Sequence, residues 1–301
     1  MRWPPLAAEV LSSLTVTGLL LSAGASVACR QGGSTSTAPL GTAAAAVFPL
    51  RTEVEFDVGE ATPSRVTVEG TGTLLFGRFV LTVAHAVTLD RLEATLRTPR
   101  GDITLPVEGR RLSEKTWLVS GERRVPLTPL ARDAETDLAL FSLPDGLSLP
   151  TFPYPIGESE TLGLGDPIAV LGSDPEAGVL FRPGSVVALR GPALVASATK
   201  SKRIFLISMA LTSGESGAPI LAVRRGSYEL VGLAQGTYVG PRQLAWAIRI
   251  DPALEAFSRL GDPALIRQFV DLCRSTQVAT MSGSRDGRTG PETPTAIDGI
   301  R

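Results

Sequence analysis

The sequence predicts an all-β protein, and three observations carry that prediction. Thirty-one glycines and 23 prolines punctuate many short Val/Leu/Ile runs, a spacing that suits strands and turns rather than long helices. Those runs fall into two series on either side of the Pro- and Gly-containing stretch 144–155, which reads as a linker. Helical spacing of apolar residues is confined to the chain after Asp251. The 43% hydrophobic and 20% charged residues are those of a globular chain. At 301 residues there is enough chain for a sizeable core and one or two domains.

Taken in order, residues 1–28 read as an export signal, with Arg2, an apolar span from Val10 to Ala28 centred on Leu19-Leu20-Leu21, and a small-x-small Ser26-Val27-Ala28 end. Cleavage there leaves Cys29 first, which resembles a bacterial lipoprotein carrying its lipid on that cysteine. Free secretion and an uncleaved membrane anchor are the alternatives. Residues 29–46, small and polar, read as a flexible tether. The first β body is assigned to 47–150, with strands expected at 65–69, 73–75, 79–83, 102–107 and 138–143. The second, 151–258, has strands expected at 167–171, 185–189, 203–210, 219–223, 229–234 and 244–250. Leu254, Phe257, Leu260, Leu265, Ile266, Phe269, Val270 and Cys273 then recur at helical spacing. Asp251 and Asp262 are expected as N-caps, each with proline next. The helical segment, expected to pack on the second β body, is assigned to 259–275, and 276–301 to a disordered tail.

Three residues carry chemistry. His85, the chain's one histidine, ends the apolar run Phe79-Val80-Leu81-Thr82-Val83-Ala84. Asp137 opens the apolar run Leu138-Ala139-Leu140-Phe141. Ser216 lies in Thr212-Ser213-Gly214-Glu215-Ser216-Gly217-Ala218-Pro219. A serine hydroxyl needs a base within reach to take its proton, and imidazole, titrating near neutrality, suits the task. A carboxylate on the other ring nitrogen then holds the tautomer. Gly214 and Gly217 permit a tight loop in which the N–H groups of Gly214 and Ser216 converge as an oxyanion hole. Asp133 is the competing carboxylate, four residues before Asp137.

The order His, Asp, Ser and these three segments resemble the trypsin-like (chymotrypsin-fold) serine proteases of the exported bacterial type. Thr82-Val83-Ala84-His85, Asp137-Leu138-Ala139-Leu140 and Gly214-Glu215-Ser216-Gly217-Ala218-Pro219 stand where that family has its three motifs. Val231-Gly232-Leu233-Ala234 and Ala245-Trp246-Ala247-Ile248 resemble two later strands. The resemblance spans roughly residues 47–258. It implies two six-stranded antiparallel β-barrels, a serine endopeptidase working through His85, Asp137 and Ser216, and a protein or peptide substrate. It also implies that Ala210 floors the primary specificity pocket, with Gln235, Gly236 and Thr237 along its wall. With no carboxylate at Ala210, preference for small or medium uncharged side chains is expected. The chain departs from the family at Ala86, where a cysteine is usual, at Ala218 and at Glu215. No Ile-Val-Gly-Gly-type new N-terminus is present, so activation through such an amine is not expected.

Other classes are excluded or expected to be absent. One histidine and two cysteines cannot build a metal site of several imidazoles or a zinc site, and no cofactor is expected. A net charge of -1, without long like-charge blocks, argues against nucleic-acid binding. Membrane association is expected only through the N-terminal signal or a lipid on Cys29. Cys273 reads as a buried, inert thiol, with a Cys29–Cys273 disulfide as the alternative. Met209, Trp117 and Trp246 read as packing residues and Trp3 as part of the signal. The rival functions are a surface-tethered binding protein on a protease fold with latent or lost catalysis, and an esterase with the same triad.

Overall fold

A computed structural model describes residues 39–59, 62–89, 92–98, 101–174, 177–191, 202–224, 226–238, 243–260 and 264–282. The expectations for residues 1–28, Cys29, Asp262 and the tail from 283 onward lie outside the described residues. The first half holds β1 (Val47–Asp57), β2 (Ser64–Leu75), β3 (Phe79–Val83), β4 (Leu92–Thr98), β5 (Gly101–Val107), β6 (Arg110–Ser120), β7 (Arg123–Pro126), β8 (Thr128–Asp133) and β9 (Leu138–Ser142). Seven of these form one antiparallel sheet in the order β7-β6-β1-β2-β3-β9-β8, and β4 and β5 form a separate hairpin. The two edge strands follow one another in sequence with only Leu127 between them. The sheet therefore curls until its edges meet through the chain, where six strands closed by a ladder had been expected.

The second half holds β10 (Pro167–Asp174), β11 (Gly178–Ala188), β12 (Ile204–Ile207), β13 (Pro219–Arg224), β14 (Ser227–Tyr238) and β15 (Leu244–Arg249). These six close into an antiparallel barrel, β10-β11-β12-β15-β14-β13. Its interior is filled by Val170, Val186, Phe205, Ile207, Ile220 and Val231, among others. Closure gives each of the six strands two hydrogen-bonded neighbours. The all-β, two-body chymotrypsin-like architecture is thus the one the sequence predicted.

β3 and β9 explain why two runs in the sequence are apolar at nearly every position, Thr82 and Ser142 apart. Val80, Ala139 and Phe141 face the interior of the first sheet. Phe79, Leu81, Val83, Leu138 and Leu140 face the seam between the two β bodies. Every residue of both strands is buried, as expected of strands covered on both faces.

The helices close that same seam. After β15 come α2 (Ile250–Arg259) and α3 (Ala264–Ser282), which runs seven residues past the expected boundary at 275. Phe269 of α3 is fully buried. Its ring centroid lies 6.2 Å from Phe76 and 5.3 Å from Phe79, both in the first body, and 6.2 Å from Phe257 of α2. The helical segment therefore packs on both β bodies, not on the second alone. Aromatic contacts of this kind add about 0.5–1.5 kcal/mol each beyond area burial.

Two local expectations are corrected. The stretch assigned to a tether includes α1 (Leu40–Ala44), ahead of β1. Ala43 and Ala46 are fully buried at the seam, and the Ala46 carbonyl accepts from Leu74 N at 2.9 Å. Their small side chains allow that close approach. Asp251 is no N-cap; it sits within the first turn of α2, where Arg249 is the capping residue. Its Oδ2 instead accepts from Ser159 N and Ser159 Oγ, each at 2.6 Å.

Candidate active site

Strand register brings His85 and Asp137 together. β3 pairs with β9 so that Val83 opposes Leu138, which puts the residues just past one strand beside the residue just before the other. Ala84 N donates to the Asp137 carbonyl at 2.9 Å, and His85 N donates to Asp137 Oδ1 at 2.9 Å. Asp137 holds φ +57°, a left-handed conformation that non-glycine residues rarely adopt. That strain turns its carboxylate towards the imidazole. Asp137 Oδ2 lies 2.6 Å from His85 Nδ1. Asp133 goes elsewhere: its carboxylate accepts from Glu135 N and Thr136 N of its own turn.

Ser216 comes to the imidazole from the second body. Its Oγ lies 3.0 Å from His85 Nε2 and 3.3 Å from the Gln235 carbonyl. With the Nδ1 proton directed at Asp137, Nε2 is left to accept from the serine hydroxyl. Thr71 of β2 anchors the loop from the first body. Its N–H donates to the Ser216 carbonyl at 2.8 Å and its Oγ1 to the Gly214 carbonyl at 2.7 Å. The imidazole side chain is 46% exposed while the Asp137 side chain is 19% exposed. The base is therefore open to a substrate and the carboxylate sits behind it.

Around the loop most N–H groups are committed. Glu215 N donates to Thr212 O, Gly217 N to Ala234 O and Ala218 N to Glu215 O. The N–H groups of Gly214 and Ser216 have no acceptor among the described residues. Two free donors beside a hydroxyl within reach of a base can hold a developing oxyanion.

The expected pocket residues separate into distinct roles. The Ala210 carbonyl accepts from Arg182 Nη2 at 2.5 Å. A guanidinium therefore lies against the expected floor, its charge matched by Glu215. Thr237 Oγ1 accepts from Leu211 N at 2.7 Å and donates to Leu211 O at 2.9 Å, strapping two stretches of backbone together. Trp246 packs against Gly236, where a Cβ would meet its indole at 2.6 Å. The Gln235 side chain does something the sequence did not indicate: its Nε2 donates to Asp137 Oδ2 at 2.8 Å. A register shift between Ala234 and Gly236 re-aims that side chain. Asp137 thus receives three donors, from His85 N, His85 Nδ1 and Gln235. Among residues the sequence reading missed, Thr71 and Arg182 carry no local signature. Cys273 is a buried free thiol, and burial pushes its pKa up.

A trypsin-like peptidase domain matches residues 70–233, more than half of the chain. No curated protein matches. Among solved structures, the HtrA-type protease AlgW with a tripeptide is similar at 19% identity and TM-score 0.49, covering 73% of this chain and 61% of that one. A variant of AlgW, also with a tripeptide, is similar at 18% identity and TM-score 0.49 over the same shares. The chain therefore spans about three fifths of the length of those proteases. The domain match runs from Gly70 in β2 to Leu233 in β14 and includes His85, Asp137 and Ser216, and by it this chain belongs to the trypsin-like peptidase domain family.

Proposed function

We propose that the protein is a serine endopeptidase that cleaves after small or medium uncharged residues. The observation that carries this is the hydrogen-bonded line from Asp137 through His85 to Ser216, at 2.6 and 3.0 Å, ending beside two unused N–H donors. In this reading Ser216 Oγ attacks the scissile carbonyl as His85 Nε2 takes its proton. Asp137 stabilises the imidazolium, and the N–H groups of Gly214 and Ser216 receive the oxyanion. His85 then passes the proton to the leaving amine. Water hydrolyses the acyl group from Ser216 by the same route in reverse.

The substrate preference is supported by the neutral lining of the expected pocket. Leu211, Thr237 and Trp246 border Ala210 and Gly236, and the nearby Arg182 charge is engaged by Glu215. Profiling with a peptide library tests both parts. Cleavage after Ala, Ser or Val by the parent, lost in Ser216→Ala, is the expected result. Cleavage after Lys or Arg would overturn the preference. A folded parent that binds peptides without cleaving them would favour the binding-protein reading. Export on residues 1–28 is part of the proposal. Incorporation of labelled palmitate into the parent and not into Cys29→Ser distinguishes a lipid anchor from free secretion.

A further inference from the structure

Glu215 is a carboxylate at 1% exposure, next to Ser216 in the loop that carries both free N–H donors. A charge so buried must be paired or the loop cannot hold its shape. Arg182 of β11 reaches it with Nη1 at 2.8 Å from Oε1 and 2.6 Å from Oε2. The same guanidinium donates through Nη2 to the Ala210 carbonyl. Thr212 adds its N–H at 2.5 Å and its Oγ1 at 2.9 Å to Oε2. Space for the carboxylate comes from Gly172 of β10, where a Cβ would lie 2.1 Å from Oε1. One ion pair thus fastens β11 to residues 210, 212 and 215 of the loop, and β10 makes room for it.

We propose that Arg182 is a positioning residue for the reaction proposed above: its guanidinium is the built-in counter-ion of Glu215 that holds the oxyanion loop in its working shape. The inference rests on the peptidase reading. The positive partner of Glu215 is a side chain of the folded barrel, so no backbone cleavage is needed to supply a cationic amine. The planar fork of the guanidinium explains why arginine serves here: Nη1 holds the carboxylate while Nη2 reaches the Ala210 carbonyl, an arrangement that one lysine ammonium does not reproduce.

The test uses the full chain with a fluorophosphonate probe and a cleaved peptide ester, comparing the parent with Arg182→Ala and Arg182→Lys. The expected result is a fall of about 10²-fold in the Ser216 phosphonylation rate and in kcat for Arg182→Ala, with KM nearly unchanged. Arg182→Lys should lose about 10-fold. Millimolar guanidinium should restore part of the Arg182→Ala rate where sodium chloride at equal ionic strength does not. Should Arg182→Ala fail to fold, the double variant Arg182→Met with Glu215→Gln leaves no unpaired buried charge; at least a 10-fold loss is expected there too. Parent-like rates in whichever folded variant is measured would overturn the proposal while leaving the peptidase reading intact. A folded parent that takes no label at Ser216 would instead overturn both.

Discussion

Gly214 and Gly217 flank the Ser216 loop at the same backbone φ of +90°, but a methyl group meets different surroundings at each. At Gly214 a Cβ would find only the Ser173 carbonyl, 3.9 Å away. At Gly217 it would lie 2.2 Å from both the Thr71 carbonyl oxygen and Thr82 Oγ1, more than 1 Å inside ordinary contact. Both threonines are fully buried and cannot step aside. Alanine at Gly214 therefore costs only the backbone strain, about 1–3 kcal/mol. Alanine at Gly217 adds the loss of the bond from Thr82 Oγ1 to Thr71 O, 2.7 Å long, or of the bond from Thr71 N to Ser216 O. A buried group left unmet costs about 1–3 kcal/mol, which brings Gly217→Ala to about 2–6 kcal/mol. At ~2–4 °C per kcal/mol for a chain of this size, its melting temperature should fall roughly 2–12 °C further than that of Gly214→Ala. Thermal denaturation followed by circular dichroism reads the difference. Equal melting temperatures for the two variants would refute the crowding argument.

Three other outcomes are expected. Phe269→Ala removes the fully buried ring that joins α2, α3 and the first β body; it should cost about 3–5 kcal/mol in denaturant titration, and a loss below about 1 kcal/mol would contradict the seam packing. Gln235→Ala takes one donor from the Asp137 carboxylate and should lower kcat/KM by about 10-fold with the fold intact; unchanged kinetics would show that the contact has no role in orienting His85. Cys273 should resist a thiol reagent at pH 8 in folded Cys29→Ser protein and react on unfolding, because burial raises its pKa above the ordinary 9.0. The stability gained by keeping this thiol protonated is present below its unfolded-state pKa and is lost as pH rises above it. Rapid labelling of the native chain would contradict the burial.

Legibility in the sequence followed the physics of each element. β3 and β9 read clearly because burial on both faces makes all but Thr82 and Ser142 apolar, and the chemistry-bearing His85 and Asp137 sit at their ends. β1 was not read as a strand. Its Arg51, Glu53 and Glu55 alternate with buried Thr52, Val54 and Phe56, and the charges obscured a half-buried period of two. Glu55 is paired by Arg65 across the β1–β2 ladder, a partner ten residues away that no local pattern indicates. Ala43 and Ala46 looked like tether because small residues are as common in flexible stretches as at close seams. Gln235 was expected on a pocket wall, and only the register shift in β14 shows its amide turning to Asp137. Glu215 raised a question the sequence could pose but not answer. A carboxylate buried in so tight a loop requires a cation, and only the barrel identifies Arg182 among 29 basic residues.

The most direct test of the central claim is the stoichiometry of fluorophosphonate labelling on the folded full chain, with the modified residue located by mass spectrometry. The account predicts one label per chain, on Ser216, abolished in Ser216→Ala and slowed at least about 10³-fold in His85→Ala. A label on another serine, or a folded parent that stays unlabelled while a control serine hydrolase reacts, would contradict it.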